Sequence, residues 1–349
     1  MSSLFSEITI KNIKIKNRIV MPPMVCFGWA GDDGIVTEKH LKHYEARAKG
    51  GVGLIIVEAT CIRKNGRNTN SQLGIWSDEH ISGLKAIAER CHKYEAKVLV
   101  QINHGGFKTH KSVSEDIVAP SDYNDGTFSA RMMTIEELHE IQNDYAKAAI
   151  KVKQAGMDGV ELHGAHGFLI SQFMSPVTNK RTDEYGGSID NRMRFAAEII
   201  EKVKGEVGND FIIEYRMGGN EPSLENGITI AKRLESLGID ILHVSAGISD
   251  GSVPQVPEGF QYNWIVYSGT EIKKHVSIPV IVVNDIRTPE RAAYLVENDM
   301  ADFTAMGKGL LVDPEWAKKA KEGMNVTTCL KCSRCLWFTN GESCPRYAK

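Results

Sequence analysis

Gly159-Val160-Glu161-Leu162-His163-Gly164-Ala165-His166-Gly167-Phe168 is the stretch on which the fold turns. Its first half is a short apolar run, and glycines break it once it becomes polar. Helical patterns flank it, at 134–155 before and 191–207 after. The first of these opens on a capping box, Thr134-Ile135-Glu136-Glu137, whose side chains can satisfy free backbone N–H groups at a helix start. A strand between two helices is one unit of a parallel sheet.

Working outward, similar apolar runs recur at 19–24, 53–58, 97–103, 211–217, 241–245, 279–284 and 302–306. Further helical patterns fall at 81–94, 227–237 and 289–297, the last with Thr288 as cap before Pro289. Eight strands with helices between most of them predict a single α/β domain, a (β/α)8 TIM barrel. The competing fold, a doubly wound open sheet, would carry a Gly-x-Gly-x-x-Gly turn after its first strand. Pro22-Pro23-Met24 stands there instead. Residues 8–10 and 13–15, around Lys11-Asn12, predict an N-terminal hairpin that plugs the barrel bottom. The barrel is expected over 1–323 and a short Cys-rich tail over 324–349.

The 349 residues are 42% hydrophobic and 25% charged, with a formal net charge of −2, so the basic footprint of a nucleic-acid binder is missing. No stretch reaches the roughly 20 apolar residues of a membrane span, and the N-terminus has no signal-peptide core. Seven cysteines without a secretion signal argue against a disulfide framework and for a cytoplasmic location. Four of them crowd into the tail, Cys329, Cys332, Cys335 and Cys344, and read as a metal or cluster site. Association of identical copies is left open.

Barrel enzymes work at the C-terminal ends of their strands. Those ends carry Pro23-Met24-Val25-Cys26, Glu58-Ala59, Gln101 with His104, His163 with His166, Arg216, Ser245, Asn284-Asp285 and Gly307-Lys308-Gly309. Such polar groups, without a nucleophile–base pair, suit a bound cofactor that supplies the difficult chemistry. Gly307-Lys308 suits a phosphate, although a plain turn with a surface lysine fits those residues equally. His163 and His166 would face opposite ways on a continuous strand. They converge only if His163 ends the strand and His166 lies in the turn, as hydrogen-bond donors or as metal ligands. Arg216 could hold an anionic ring edge, or simply pair with Glu58 or Glu161.

Together with 17–24, 101–106, 168–176 and 179–188, the quoted stretch resembles the old yellow enzyme family. The resemblance implies a barrel that binds FMN, takes electrons from NAD(P)H and reduces an activated C=C bond in a small enone, enoate or nitroalkene. It implies FMN contacts at Pro23, Met24, Ala59, Gln101, Arg216, Asn284, Gly307 and Lys308, with Lys308 where the family has arginine. His163 and His166 match the pair that holds the substrate's activating oxygen, and Lys108 matches a basic residue at the mouth. The family's proton-donor tyrosine is replaced by Phe168, and a second tyrosine of the bacterial subgroup by Phe27. The proton must then come from water, a histidine or Tyr262. Cys26 is one residue past the place of the subgroup's flavin-tuning cysteine, so alternation points it elsewhere. The tail is similar to the branch of 2,4-dienoyl-CoA reductase and 2-enoate reductase, which implies a [4Fe–4S] cluster, with zinc as the alternative. That branch continues into an FAD/NAD domain. The chain stops five residues after Cys344, which predicts that this domain is absent.

Two other functions compete. One is a metal-dependent barrel hydrolase or aldolase with His163, His166 and a third ligand, His104 or His243. The other is an electron-transfer module in which FMN and cluster serve a partner and no organic acceptor is reduced.

Overall fold

A computed structural model describes residues 3–347. Strands β1 (Ile8–Ile10) and β2 (Ile13–Ile15) form the expected hairpin, with Ile8 opposite Ile15. Three barrel strands follow, β3 (Ile19–Met21), β4 (Leu54–Cys61) and β5 (Lys97–Asn103). The chain then leaves the barrel for three short strands, β6 (Val118–Ala119), β7 (Tyr123–Asn124) and β8 (Ser129–Met132). It returns with β9 (Gly159–Gly164), β10 (Ile212–Gly218), β11 (Ile241–Ser245), β12 (Val280–Val283) and β13 (Phe303–Ala305). The ring closes in the order β10-β11-β12-β13-β3-β4-β5-β9, a TIM barrel as the sequence predicts.

Helices α1 (Glu38–Lys49), α2 (Ile81–His92), α3 (Ile135–Gln154), α4 (Leu169–Met174) and α5 (Ile189–Val207) cover the first half. The second half has α6 (Leu224–Ser236), α7 (Trp264–Lys273), α8 (Pro289–Glu297), α9 (Gly307–Val312) and α10 (Trp316–Lys321). Thr134 caps α3 by accepting the Glu137 N–H, and Glu137 reaches back to the Thr134 N–H, so the capping box forms. Helix α1 escapes a periodicity reading because its inner face is polar: His40, His43, Tyr44 and Arg47 are buried. No helix among the described residues is long and apolar enough to cross a membrane.

Side chains two apart on a strand face the same way, and that alternation builds the site. Ile10 and Ile15 of the hairpin pack with Leu54, Leu99, Ile212 and Ile241 into an apolar floor inside the barrel. Two residues further along β5, β10 and β11 the inward positions turn polar, Gln101, Glu214 and His243, and Glu161 of β9 joins them. Gln101 Nε2 donates to Glu161 at 2.6 Å, and His243 Nδ1 meets the other Glu161 oxygen at 2.6 Å. Burial works to raise the Glu161 carboxyl, but His243 and Arg216 beside it bring it below its ordinary value. Burial and the Glu161 charge push Glu214 far up, so one carboxyl of the layer is ionised and the other keeps its proton.

Strand β4 carries an irregularity between Val57 and Thr60, where two residues face one on β5. It turns Glu58 out of the barrel and lets Ala59 face inward.

Candidate active site

A cavity of about 490 Å³ opens at the C-terminal ends of the strands, a size ordinary for a small-molecule site. Pro23, Met24, Ala59, Gln101, Arg216, Asn284, Gly307 and Lys308 all line it, as do His163, His166 and Phe168.

The two histidines converge as their spacing required. His163 sits within β9, and His166 takes a left-handed φ of 59° in the turn beyond. Gly164 lets them do so: a Cβ there would lie 2.1 Å from the Tyr215 hydroxyl. His163 Nε2 and His166 Nδ1 are 3.0 Å apart and share a hydrogen, and His166 Nε2 meets Ser245 Oγ at 2.7 Å. Burial holds both rings well below the ordinary imidazole value, with the Arg216 charge adding to it. Both are therefore neutral at pH 7, each with one N–H to give and one nitrogen that accepts. Ser245 stands at a strand end in the sequence, but nothing there signalled that it would fix the second ring.

Arg216 is buried, has no carboxylate within 4 Å, and its Nε has no partner. Neither of its sequence-level partners takes it. Glu161 is engaged by Gln101 and His243, and Glu58 faces away. Burying an unpaired charge is costly, and an anionic ligand edge is what this guanidinium lacks. On another strand end, a Cβ on Gly307 would come within 3.1 Å of Met24 Sδ, so glycine there keeps the backbone beside Lys308 uncrowded. An uncompensated cation at one end and a glycine–lysine turn at the other fit a flat ring system bearing a phosphate. Asn284, at φ 105°, and Asp285, at φ 55°, hold strained backbone at the rim, as binding sites often do.

Three expected residues lie elsewhere. Cys26 is fully buried outside the cavity, and Val25 lines the wall in its place, as alternation requires. Tyr262 gives its hydroxyl to the Arg291 carbonyl at 2.7 Å under the Arg291 guanidinium and is not in the lining. Its ring is held by that cation–aromatic stack, which the sequence separation concealed. Lys108 lines an adjoining cavity and donates to the His166 carbonyl at 2.6 Å. No tyrosine lines the main cavity among the described residues. The histidine pair also gathers no third ligand within 4.8 Å, and His104 accepts the Gly106 N–H away from the lining, so the metal-hydrolase arrangement is not formed.

The tail closes one side of the cavity. Trp337 Nε1 donates to the Val25 carbonyl at 2.9 Å, Gly341 N–H donates to the Phe27 carbonyl at 3.0 Å, and the Tyr347 hydroxyl meets His43 Nδ1 at 3.0 Å. Thr328, Cys329, Cys335, Trp337 and Phe338 line the main cavity. Cys329 and Cys335 also line a small adjoining cavity with Cys332 and Cys344, so all four tail cysteines face one space. They do not form a group of three ligand atoms within 4.8 Å of one another.

Residues 3–327 match the NADH:flavin oxidoreductase / NADH oxidase family. The chain is 46% identical over 345 residues to the NADH oxidase of Thermoanaerobacter brockii, covering 95% of this chain and 53% of that protein. Among solved structures it is similar to 2-naphthoyl-CoA reductase in complex with 2-naphthoyl-CoA, with a TM-score of 0.88 and 27% identity, over 97% of this chain and 55% of that one. It is also similar to the old yellow enzyme homologue from Zymomonas mobilis, with a TM-score of 0.80 and 28% identity, over 94% of this chain and 95% of that one. The chain thus spans about half the length of two of these three relatives.

Glu58 gives the site a pH signature. It accepts the Cys26 N–H at 2.8 Å and the Tyr44 hydroxyl at 3.3 Å, and burial pushes its carboxyl up to about 7. A raised folded value means that the proton stabilises the fold: the contribution is whole below the ordinary value near 4.5 and is lost as pH climbs to about 7. Glu58→Gln keeps an acceptor for the Cys26 N–H and cannot ionise. Urea midpoints measured from pH 4.5 to 7.5 should show the variant gaining on the wild type across that window; parallel curves would reject the assignment.

Proposed function

The chain belongs to the NADH:flavin oxidoreductase / NADH oxidase family, that of old yellow enzyme, and on this ground we propose that it is an FMN-dependent reductase of activated C=C bonds using NAD(P)H. One observation carries the reading: two neutral imidazoles, His163 and His166, face the same cavity as the unpaired Arg216 guanidinium. FMN, when bound, supplies the two-electron transfer from NAD(P)H to the alkene. Arg216 and Gln101 would hold its anionic ring edge, and Gly307 and Lys308 its phosphate. Pro23, Met24, Ala59 and Asn284 would wall it in.

The chain's own part is to bind and polarise the acceptor. A carbonyl or nitro oxygen entering the cavity competes for the N–H that the two histidines now share. Neutral rings donate without losing a proton, so they stabilise the charge that builds on that oxygen while the β-carbon is reduced. Ser245 keeps the His166 ring turned toward its neighbour. The α-carbon proton then comes from solvent, because the residue five past His163 is Phe168 and no phenol lines the cavity among the described residues.

A second reading concerns the tail, residues 324–349, as a segment distinct from the barrel over 1–323. Cys329 and Cys335 line both the main cavity and the small one. Tetrahedral zinc, with Zn–S near 2.3 Å, would draw its sulfurs to about 3.8 Å apart. Four thiolates facing one small cavity would suit either metal centre, and the Cys-x2-Cys-x2-Cys start with a final Cys-Pro, as in ferredoxin-type ligation, favours a [4Fe–4S] cluster over zinc.

Three outcomes test this. Heating the protein should release FMN, and His163→Ala with His166→Ala should leave FMN bound while alkene turnover falls about 10²–10³-fold per lost donor, as for oxyanion donors. A double variant that reduces alkenes at the wild-type rate would sink the role. Phe168→Tyr should speed turnover of simple enones at least several-fold with flavin reduction by NAD(P)H unchanged, since a positioned acid is worth roughly 10²–10⁴ in rate; an unchanged enone rate would show that protonation does not limit. Metal analysis of anaerobically prepared protein should find iron and sulfide, lost together in Cys332→Ser. Stoichiometric zinc, or four titratable thiols and no metal, would overturn the cluster.

A further inference from the structure

A second cavity, of about 720 Å³, lies beside the first, and Phe27, Asn68 and Phe168 line both. Four phenylalanines line it, Phe27, Phe107, Phe128 and Phe168; the Phe107 ring lies 5.8 Å from Phe128 and is backed by Tyr123, stacked on it at 4.1 Å. Its ionisable side chains are Lys108, His110 and Lys111, and no carboxylate lines it among the described residues.

Three polar groups on this wall want a ligand. Thr109 Oγ1 and Asn68 Oδ1 are buried with no hydrogen-bond partner. Turned over, the same amide presents its N–H2 in that place. Lys108 gives one N–H to the His166 carbonyl and has no carboxylate within 4 Å. Burial has moved its ammonium below the ordinary lysine value, as expected of a cation without a counter-ion. Buried polar groups without partners are rare in folded proteins, and two on one wall beside a cation without a counter-ion call for an explanation.

The Phe168 ring stands between the two cavities, 4.6 Å from the His163 ring and 5.6 Å from the Lys108 ammonium. We propose that the second cavity is a subsite for the distal, anionic end of an elongated unsaturated carbonyl substrate. The carbonyl meets His163 and His166, an apolar or aromatic body passes Phe168, and a terminal anion meets Lys108, Thr109 and Asn68. The inference rests on the alkene-reductase reading and narrows its substrate class.

The test is a matched set of ligands on the FMN-loaded protein: benzylideneacetone, its para-carboxylate and its para-phosphate ester. Binding is read from the visible absorbance of the flavin, and turnover separately from NAD(P)H consumption. The wild type should bind at least one anion ten or more times tighter than the neutral parent, and the better of the two tells carboxylate from phosphate recognition. That preference should vanish in Lys108→Gln and shrink in Lys111→Glu at the exposed rim. Ser129→Trp, which fills the cavity from an exposed strand position, should weaken all three aryl ligands but not cyclohex-2-enone. Equal affinities in the wild type, or a preference that survives both Lys108→Gln and Ser129→Trp, would overturn the subsite. If cyclohex-2-enone is reduced and no preference exists, the subsite alone fails. If an anion binds in a Lys108-dependent way while no alkene consumes NAD(P)H, the reductase reading alone fails.

Discussion

The Arg216 guanidinium is a buried charge without a carboxylate of its own, and much of the site is arranged around it. The barrel supplies negative charge one layer below, where Glu161 is ionised between Gln101 and His243. That carboxylate is occupied by its own partners, so it offsets the charge at a distance and leaves the guanidinium free toward the cavity. The same charge acts upward. It adds to burial in keeping His163 and His166 neutral, which leaves each ring one N–H to donate. Beneath, the hairpin isoleucines exclude water from the floor, so these interactions act in a medium of low dielectric. A ligand that brings negative charge to Arg216 supplies a partner that the folded chain does not.

What the sequence conveyed follows from which interactions are local. Strand positions show as apolar runs because a barrel strand is covered on both faces, and two of the eight, 97–103 and 241–245, have the same ends in the structure. Alternation sets His163 and His166 on opposite faces of a continuous strand, so their convergence was legible only as a condition, met in the structure by the turn that puts His166 at φ 59°. The displacement of Cys26 was legible from its place one residue past Val25. Helix α1 was not, because its buried face is built from His40, His43 and Arg47, which carry no apolar stripe. Nor was the irregularity in β4, which needs a register comparison with β5. That irregularity decides the side of the sheet on which Glu58 lies, and so removes it as a partner for Arg216. Tyr262 was misplaced for a similar reason: its hydroxyl partner is 29 residues away in sequence.

The tail shows how far a wall can be from the residues it serves. Composition marks 324–349 by its cysteines, yet the contacts that seat it are aromatic. Trp337 lies edge-on to Trp29 at 5.8 Å and stacks on His43 at 5.7 Å, while Tyr347 sits under the Arg47 guanidinium at 5.5 Å. Arg47 in turn donates to the carbonyls of Leu310 and Leu311, on the helix that begins at Gly307. The tail, the polar face of α1 and the turn at Gly307 are therefore one packed unit. A group bound by the four cysteines would also fix the wall formed by Cys329, Cys335 and Trp337. A chain with its tail loosened would keep its histidines, Arg216 and floor, but it would lose the side of the cavity that faces Met24 and Lys308. The barrel supplies the polar groups of the site, and the tail supplies the enclosure in which those groups act strongly.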